Sequence, residues 1–312
     1  MARFDLHAHV IPEEYRALLP PLPDGSAPPL PAASLEGLSA TMERYRIDAA
    51  VISTGPPGAS VDDPGLAREL ATLANEKIAG IVRAERSRFA GLAVLPLPDL
   101  DGALAELRRA LDVLDLDGVA LFSNVHGTYL GDPAWDPLFD ELDRRGAYVF
   151  VHPVAGPYAL PLPQWPVWLY EFPFDTTRAI VQLIYSGTLE RCPNVRLQVA
   201  HLGGAAPFLA HRLASLALRE PALAERAPAG VLAYLRRLYY DTGLSNNDVA
   251  LASTLAAVPL ERIVFGTDWP YAALPDGNDP APDLGLGADD RCGLDAANAL
   301  ALVPRFSAAA AG

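Results

Sequence analysis

Short apolar runs rich in Val, Ile, Ala and Phe recur along the chain, and between them apolar residues return at helical spacing. Runs near 2–7, 48–54, 90–95, 117–122, 147–152, 195–201, 237–242 and 262–267 predict eight strands. The fifth, Ala147-Tyr-Val-Phe-Val-His152, is apolar throughout, the pattern of a strand covered on both faces. Helical periodicity is clearest over 100–114, 133–145, 175–191 and 205–218. Alternating strands and helices imply a parallel sheet, and eight such units close most economically as a (β/α)8 TIM barrel. The expectation is one α/β domain over residues 1–312, with loop insertions at the C-terminal face of the barrel.

Three stretches break the rhythm. Residues 20–33 hold six prolines, 153–173 are rich in Pro, Trp, Tyr and Phe, and 275–290 are rich in Pro and Asp. Each follows the C-terminal end of an expected strand, the barrel face on which active sites are built. The aromatic stretch is read as a substrate-covering loop.

The 51% hydrophobic and 20% charged composition of the 312 residues supplies one extended core. A net charge of -14 without a basic stripe excludes a nucleic-acid partner, whose phosphates need clustered Lys and Arg. Neither a signal-peptide pattern nor an apolar run of the roughly 20 residues a membrane helix needs is visible. Cys192 and Cys292 are too few for a disulfide framework or a cysteine zinc site. These features lead to the expectation of a cytoplasmic protein with reduced thiols and no membrane partner.

The first strand ends in Asp5-Leu6-His7-Ala8-His9, and side-chain alternation puts His7 and His9 on one side, able to share a metal. An isolated His-x-His is more often a pair of exposed or hydrogen-bonded histidines. The remaining histidines change the balance: His152 ends strand five and His201 ends strand six, while Asp268 ends strand eight. Five candidate ligands or acid/base groups at C-terminal strand ends converge if the barrel closes. Reading each as structural requires a separate account of every one. His126 follows a strand end by several residues and His211 lies in a helical run, so neither is assigned to catalysis, with His126 a candidate for the pocket wall. Asp5 is expected one layer beneath His7 rather than as a ligand.

This layout resembles the amidohydrolase superfamily, in particular its decarboxylase-like branch, the aminocarboxymuconate semialdehyde, γ-resorcylate and 6-methylsalicylate decarboxylases. The resembling segments are His7-Ala-His-Val-Ile-Pro12, Ser123-Asn-Val-His-Gly-Thr-Tyr-Leu-Gly-Asp-Pro133, Glu171-Phe-Pro-Phe-Asp-Thr-Thr-Arg178, Ser186-Gly-Thr-Leu-Glu-Arg191, His201-Leu-Gly-Gly204 and Gly266-Thr-Asp-Trp-Pro270. The resemblance implies His7, His9, His152 and Asp268 as ligands of one divalent metal and His201 as the acid/base residue. Many superfamily members bridge two metals with a lysine on strand four. Here that strand runs into Ser123-Asn124, and Lys77, the single lysine, precedes strand three, so one metal is expected. Three imidazoles and a carboxylate suit Zn²⁺, with Mn²⁺ as the alternative.

The resemblance further implies release of CO2 from a small aromatic hydroxy acid of the 6-methylsalicylate kind, with His201 or Asp268 delivering a proton to the ring. Asn124, Trp165, Trp168, Phe172, Arg178 and Trp269 are candidate substrate contacts. Trp165, Trp168, Tyr170, Phe172 and Trp269 could equally form loop core, and Arg178 an ion pair on a helix surface. Two other classes are open: a hydrolase of a lactone, ester or cyclic amide on the same metal, and a barrel that binds a metal or partner without catalysis. A homodimer is expected by resemblance, with Arg212 and Arg219 as candidate contacts.

Overall fold

In the structure, a computed structural model, residues 2–21, 31–156, 162, 164–275, 280 and 286–310 are described. Eight parallel strands, β1 (Phe4–His9), β2 (Ala49–Ser53), β3 (Phe89–Ala93), β4 (Gly118–Phe122), β5 (Tyr148–His152), β6 (Arg196–Val199), β7 (Tyr239–Asp241) and β8 (Ile263–Val264), pair in sequence order. The register sets Phe4 beside Ala49, Ala50 beside Phe89, Val119 beside Val149, Val149 beside Leu197 and Ile263 beside Tyr240. The cylinder closes beyond the end of β8, where Leu6 N donates to Phe265 O at 2.9 Å, His9 N to Trp269 O at 2.8 Å and Asp268 N to His7 O at 2.8 Å. This is the TIM barrel expected from the alternation of strand and helix runs.

Two apolar layers use the alternate faces of the strands. Ile52, Val119, Leu121, Val149, Val151, Leu197 and Val199 pack with Leu38, Met42, Ile78, Val82, Leu107, Leu138 and Leu183 of the surrounding helices. The other set, Ala49, Val51, Ala90, Leu92, Ala120 and Phe150, packs with Leu302, Val303 and Phe306. Phe306 meets Phe4 at 5.2 Å between ring centroids, so the chain's last turns seal the N-terminal end of the barrel. Layered apolar side chains of this kind make the barrel interior a packed core and leave the C-terminal rim for chemistry.

Helix limits follow local caps. Asp99 accepts from Gly102 N and opens Leu100–Asp112, and Asp63 accepts from Leu66 N with Pro64 in the first turn of Pro64–Ala84. Gly146 in the left-handed region ends Asp136–Arg145. Lys77 sits on Pro64–Ala84, not on β4, and pairs with Glu14.

One expectation is corrected. The helix expected over 175–191 begins eight residues earlier, as Val167–Tyr185, followed by a short helix Thr188–Arg191. Residues 167–173 are therefore helical rather than part of a covering loop, and Pro173 stands inside the helix. Within the aromatic stretch, 157–161 and 163 lie outside the described residues, as do 22–30 and 276–279 and 281–285 of the two proline-rich stretches. Among the described residues no helix is long and apolar enough to cross a membrane.

Candidate metal centre and catalytic pocket

His7, His9, His152 and Asp268 each bring one ligand atom to a common point, all four atoms lying within 4.8 Å of one another. None of the four residues is more than 4% exposed. His7 and His9 end β1 and His152 ends β5. Asp268 stands four residues past β8, on the loop whose backbone pairs with β1.

Each imidazole has its Nδ1 engaged away from the centre. His7 Nδ1 donates to Asp241 Oδ1 at 3.0 Å, His152 Nδ1 to the Pro153 carbonyl at 2.7 Å, and His9 Nδ1 is 3.0 Å from Ser53 Oγ. The carboxylate and the carbonyl can only accept, so neutral His7 and His152 carry the proton on Nδ1 and present Nε2 as a lone pair, and the Ser53 hydroxyl is able to accept from His9 in the same way. His7 Nε2 lies 3.1 Å from Asp268 Oδ1, out of line for a hydrogen bond, so it and His152 Nε2 are buried polar atoms with no hydrogen-bond partner among the described residues. Buried nitrogens aimed at a shared carboxylate are costly unless a cation takes their lone pairs. The donor set thus fits one divalent ion held at the bond lengths of about 2.0–2.2 Å usual for imidazole and carboxylate ligands.

Burial and the neighbouring charges set the electrostatics of these groups, in opposite directions for different imidazoles. Burial, reinforced by the neighbouring His7 and His9, holds His152 well below the usual histidine range, and burial likewise lowers His9. Burial also opposes ionisation of Asp268, but His7, His201 and His9 outweigh it and keep the carboxyl well below its ordinary value. In His7 burial works against the charge and is overcome by Asp241 and Asp268, which raise it.

His201 sits two residues beyond β6 rather than at its last position, in a short turn where it and Leu202 have φ of 56° and 50°. Its Nε2 is 3.1 Å from Asp268 Oδ2, while Asp268 Oδ1 faces His9 Nε2 at 3.2 Å. The glycines that follow allow this turn to dock. A Cβ on Gly204, whose φ is +61°, would fall 2.0 Å from the Pro173 carbonyl. Gly266 likewise clears the ring-bearing carbon of His7, which a Cβ there would approach to 2.8 Å.

Two further carboxylates complete the frame: Asp241, which was not singled out in the sequence, and Asp5, which was. Asp241, the last residue of β7, accepts from His7 Nδ1, from Gln198 Nε2 at 2.8 Å, from His201 N at 3.2 Å and from Gly243 N at 3.0 Å. An acidic residue ending the run Tyr-Tyr-Asp at a C-terminal strand end was the available signal. Asp5 does not stack beneath His7. The pairing of β1 with β2 slips between Asp5 and Ala8, and Asp5 Oδ1 takes up the His7 and Thr267 amides, each at 3.0 Å, while Thr267 Oγ1 donates to Oδ2 at 2.6 Å. Burial pushes Asp5 up to about 6.

A cavity of about 640 Å³ opens over this centre, with His152, His201 and Asp268 in its lining. Trp168, Leu169, Phe172, Leu244 and Tyr271 form much of its wall. Among the described residues Asn124, Trp165, Arg178 and Trp269 are outside that lining. Asn124 Nδ2 is bound to Asp175, Trp165 is 56% exposed, Arg178 pairs with Glu171 at 3.1 Å, and Trp269 lies against Gly37. His126 is partly exposed, 3.8 Å from Asp62, and His211 meets Ser215 on an outer helix.

The family model for Amidohydrolase matches residues 4–305. The chain is 34% identical over 288 residues to a decarboxylase of Aspergillus niger, covering 87% of this chain and 78% of that one. It is 31% identical over 278 residues to the 6-methylsalicylic acid decarboxylase of Penicillium expansum, covering 87% and 86%. The crystal structure of 5-carboxyvanillate decarboxylase from Novosphingobium aromaticivorans, complexed with manganese and a nitrobenzoic acid, superposes with a TM-score of 0.86 at 21% identity over 96% of this chain and 95% of that one, a likeness of fold.

Proposed function

The chain belongs to the amidohydrolase family, and we propose that it is a metal-dependent, non-oxidative decarboxylase of a small aromatic hydroxy acid of the 6-methylsalicylate kind. The observation that carries the reading is the convergence of His7, His9, His152 and Asp268 beneath a cavity walled by Trp168, Phe172 and Leu169. Its relatives in Aspergillus niger and Penicillium expansum are decarboxylases, the latter of 6-methylsalicylic acid. The donor set suits Zn²⁺, and Mn²⁺, held by the structural neighbour, is the alternative. A bound divalent ion would orient the acid's oxygens and stabilise negative charge on them.

The chain's own groups handle the proton. Asp268 turns Oδ1 to the ligand imidazoles and Oδ2 to His201, so His201 and Asp268 form a pair able to hold one proton at the cavity floor. The proton goes to the ring carbon that bears the carboxylate, the carbon–carbon bond breaks, and its electron pair restores the aromatic ring as CO2 leaves. Trp168, Phe172 and Leu169 supply an apolar, water-poor face for a flat ring. Among the described residues the lining carries neither Lys nor Arg, and residues 22–30, 157–161 and 276–285 contain neither in sequence.

Purified protein loaded with Zn²⁺ or Mn²⁺ is expected to release one CO2 per molecule of 6-methylsalicylate consumed. A product that has gained water instead would assign the hydrolase chemistry. We also propose a homodimer, supported by Phe208 and Leu218, 77% and 82% exposed along and just after the helix that carries Arg212. Sedimentation of the wild type beside Phe208→Asp tests it, a dimer that becomes a monomer being the expected outcome.

A further inference from the structure

We propose that Asp175, a buried carboxylate outside the metal centre, is the positioning residue that sets the orientation of His152 and holds the Phe172 wall against it. The inference rests on the reading of His152 as a metal ligand. Asp175 is 1% exposed on the helix Val167–Tyr185. It receives the Ser123 hydroxyl and Asn124 Nδ2, at 2.9 Å, on Oδ2, and Tyr129 OH, at 2.5 Å, on Oδ1.

Ser123 and Asn124 carry this anchor to the metal ligand. Ser123 N donates to His152 O at 2.9 Å, and Ser123 Oγ accepts from Val154 N at 3.1 Å, so one residue brackets Pro153 from both sides. Asn124 Nδ2 also donates to Val154 O at 3.3 Å. The Pro153 carbonyl between these fixed points is the acceptor for His152 Nδ1, the bond that turns Nε2 to the centre. A hydroxyl has one proton, and Ser123 gives it to Asp175, which leaves its lone pairs for the Val154 amide. An amide at 175 would set donor against donor and free that hydroxyl to rotate. The same helix places Phe172, one turn before Asp175, edge-on to His152 with ring centroids 6.2 Å apart. Two further bonds, Thr177 Oγ1 to Pro173 O at 2.7 Å and Ala205 N to Thr177 Oγ1 at 2.9 Å, tie the helix to the His201 turn. One carboxylate therefore keeps a ligand and a pocket wall in register.

Tyr129 provides an internal control, because it binds the oxygen of Asp175 that does not lead to Val154. Co²⁺ titration of the metal-free protein, followed by visible absorption, tests the proposal together with kcat and KM. Asp175→Asn and Ser123→Ala are expected to weaken Co²⁺ binding about 10-fold or more and to shift the absorption band, as loss of a ligand-orienting partner does. They should also lower kcat more than they raise KM. Tyr129→Phe is expected to leave the Co²⁺ affinity and band at wild-type values. If Asp175→Asn does not fold, the contrast between Ser123→Ala and Tyr129→Phe decides. All three variants losing thermal stability with Co²⁺ affinity and spectrum intact would overturn the positioning role. Co²⁺ binding by the wild type reports separately on the metal centre itself.

Discussion

Asp268 divides its two oxygens between tasks, Oδ1 toward His7 and His9 and Oδ2 toward His201. The two ends of this carboxylate can be tested apart. His201→Ala leaves every ligand in place, so metal content is expected to stay at the wild-type value while kcat falls by about 10²–10⁴, the usual worth of a placed acid/base group. On the proposed assignment Asp268→Ala removes a ligand and the proton partner together, and both metal and turnover should be lost; retained turnover would contradict both assignments. The apolar wall gives a test of specificity. Leu169 is 61% exposed at the cavity edge, so Leu169→Arg should fold normally and offer a counter-charge to a second carboxylate. Turnover of 5-carboxyvanillate relative to 6-methylsalicylate is expected to rise about fivefold, equivalent to the roughly 1 kcal/mol of a partly exposed ion pair. An unchanged ratio would show that the wall does not set the preference. At this scale the ligands were legible because histidine is rare here and four of the six cluster at expected strand ends. Asp241 and Asp175 were not: an aspartate at a strand end or in a first helical turn reads equally well as a cap, and only the folded contacts reveal what it holds.

The elements were legible where side-chain period and length agree. All eight strands lie where apolar runs predict them, though β8 keeps only Ile263–Val264 in regular pairing, because the chain then turns to carry Asp268 to the rim. The helix Val167–Tyr185 was cut short in sequence because Pro173 breaks the expected pattern. Its missing amide falls where the helix meets the His201 turn, and Gly204 makes room for the Pro173 carbonyl. Packing between helices also depends on charge. Glu141 on Asp136–Arg145 accepts from Arg144 and Arg145, and Arg145 forks onto Asp112 of Leu100–Asp112 at 2.7 and 2.9 Å. Arg144, then Arg145, pulls the Glu141 carboxyl down to about 2. Because the folded value lies below the ordinary 4.5, the ionised form favours folding; its contribution is complete above pH 4.5 and is lost as pH falls through about 2. Glu141→Gln is expected to cost up to about 1 kcal/mol at pH 7, near 2 °C in Tm, in line with a small charge network. The gap between variant and wild type should close on titration from pH 4.5 toward 2, and a gap independent of pH would locate the loss in packing.

At the scale of the whole molecule, the proposed metal ligands tie the first strand to the segment that follows the eighth. His7 and His9 lie in the first strand, His152 in the fifth and Asp268 past the eighth, on the segment that closes the barrel through Leu6, His7 and His9. No pair of these elements can present the full donor set until the cylinder has closed, so an unfolded chain offers the ion at most the local His-x-His. Metal binding is therefore binding to the folded state, and it adds stability by mass action. At free metal about 100 times its dissociation constant the gain is about 2.7 kcal/mol. For a domain of this size, at an unfolding entropy of about 2.1 cal/mol/K per residue, that corresponds to a rise of about 4 °C in Tm. Dialysis against a chelator should lower Tm by that amount and readdition of Zn²⁺ or Mn²⁺ should restore it. Asp268→Ala should show a Tm that no longer responds to either ion at the same concentration, whereas His201→Ala should respond as the wild type does, since His201 touches the carboxylate but not the common point where the four ligand atoms meet. A wild-type Tm indifferent to chelation would mean that the four side chains gather without gripping an ion, and the decarboxylase reading would lose its foundation.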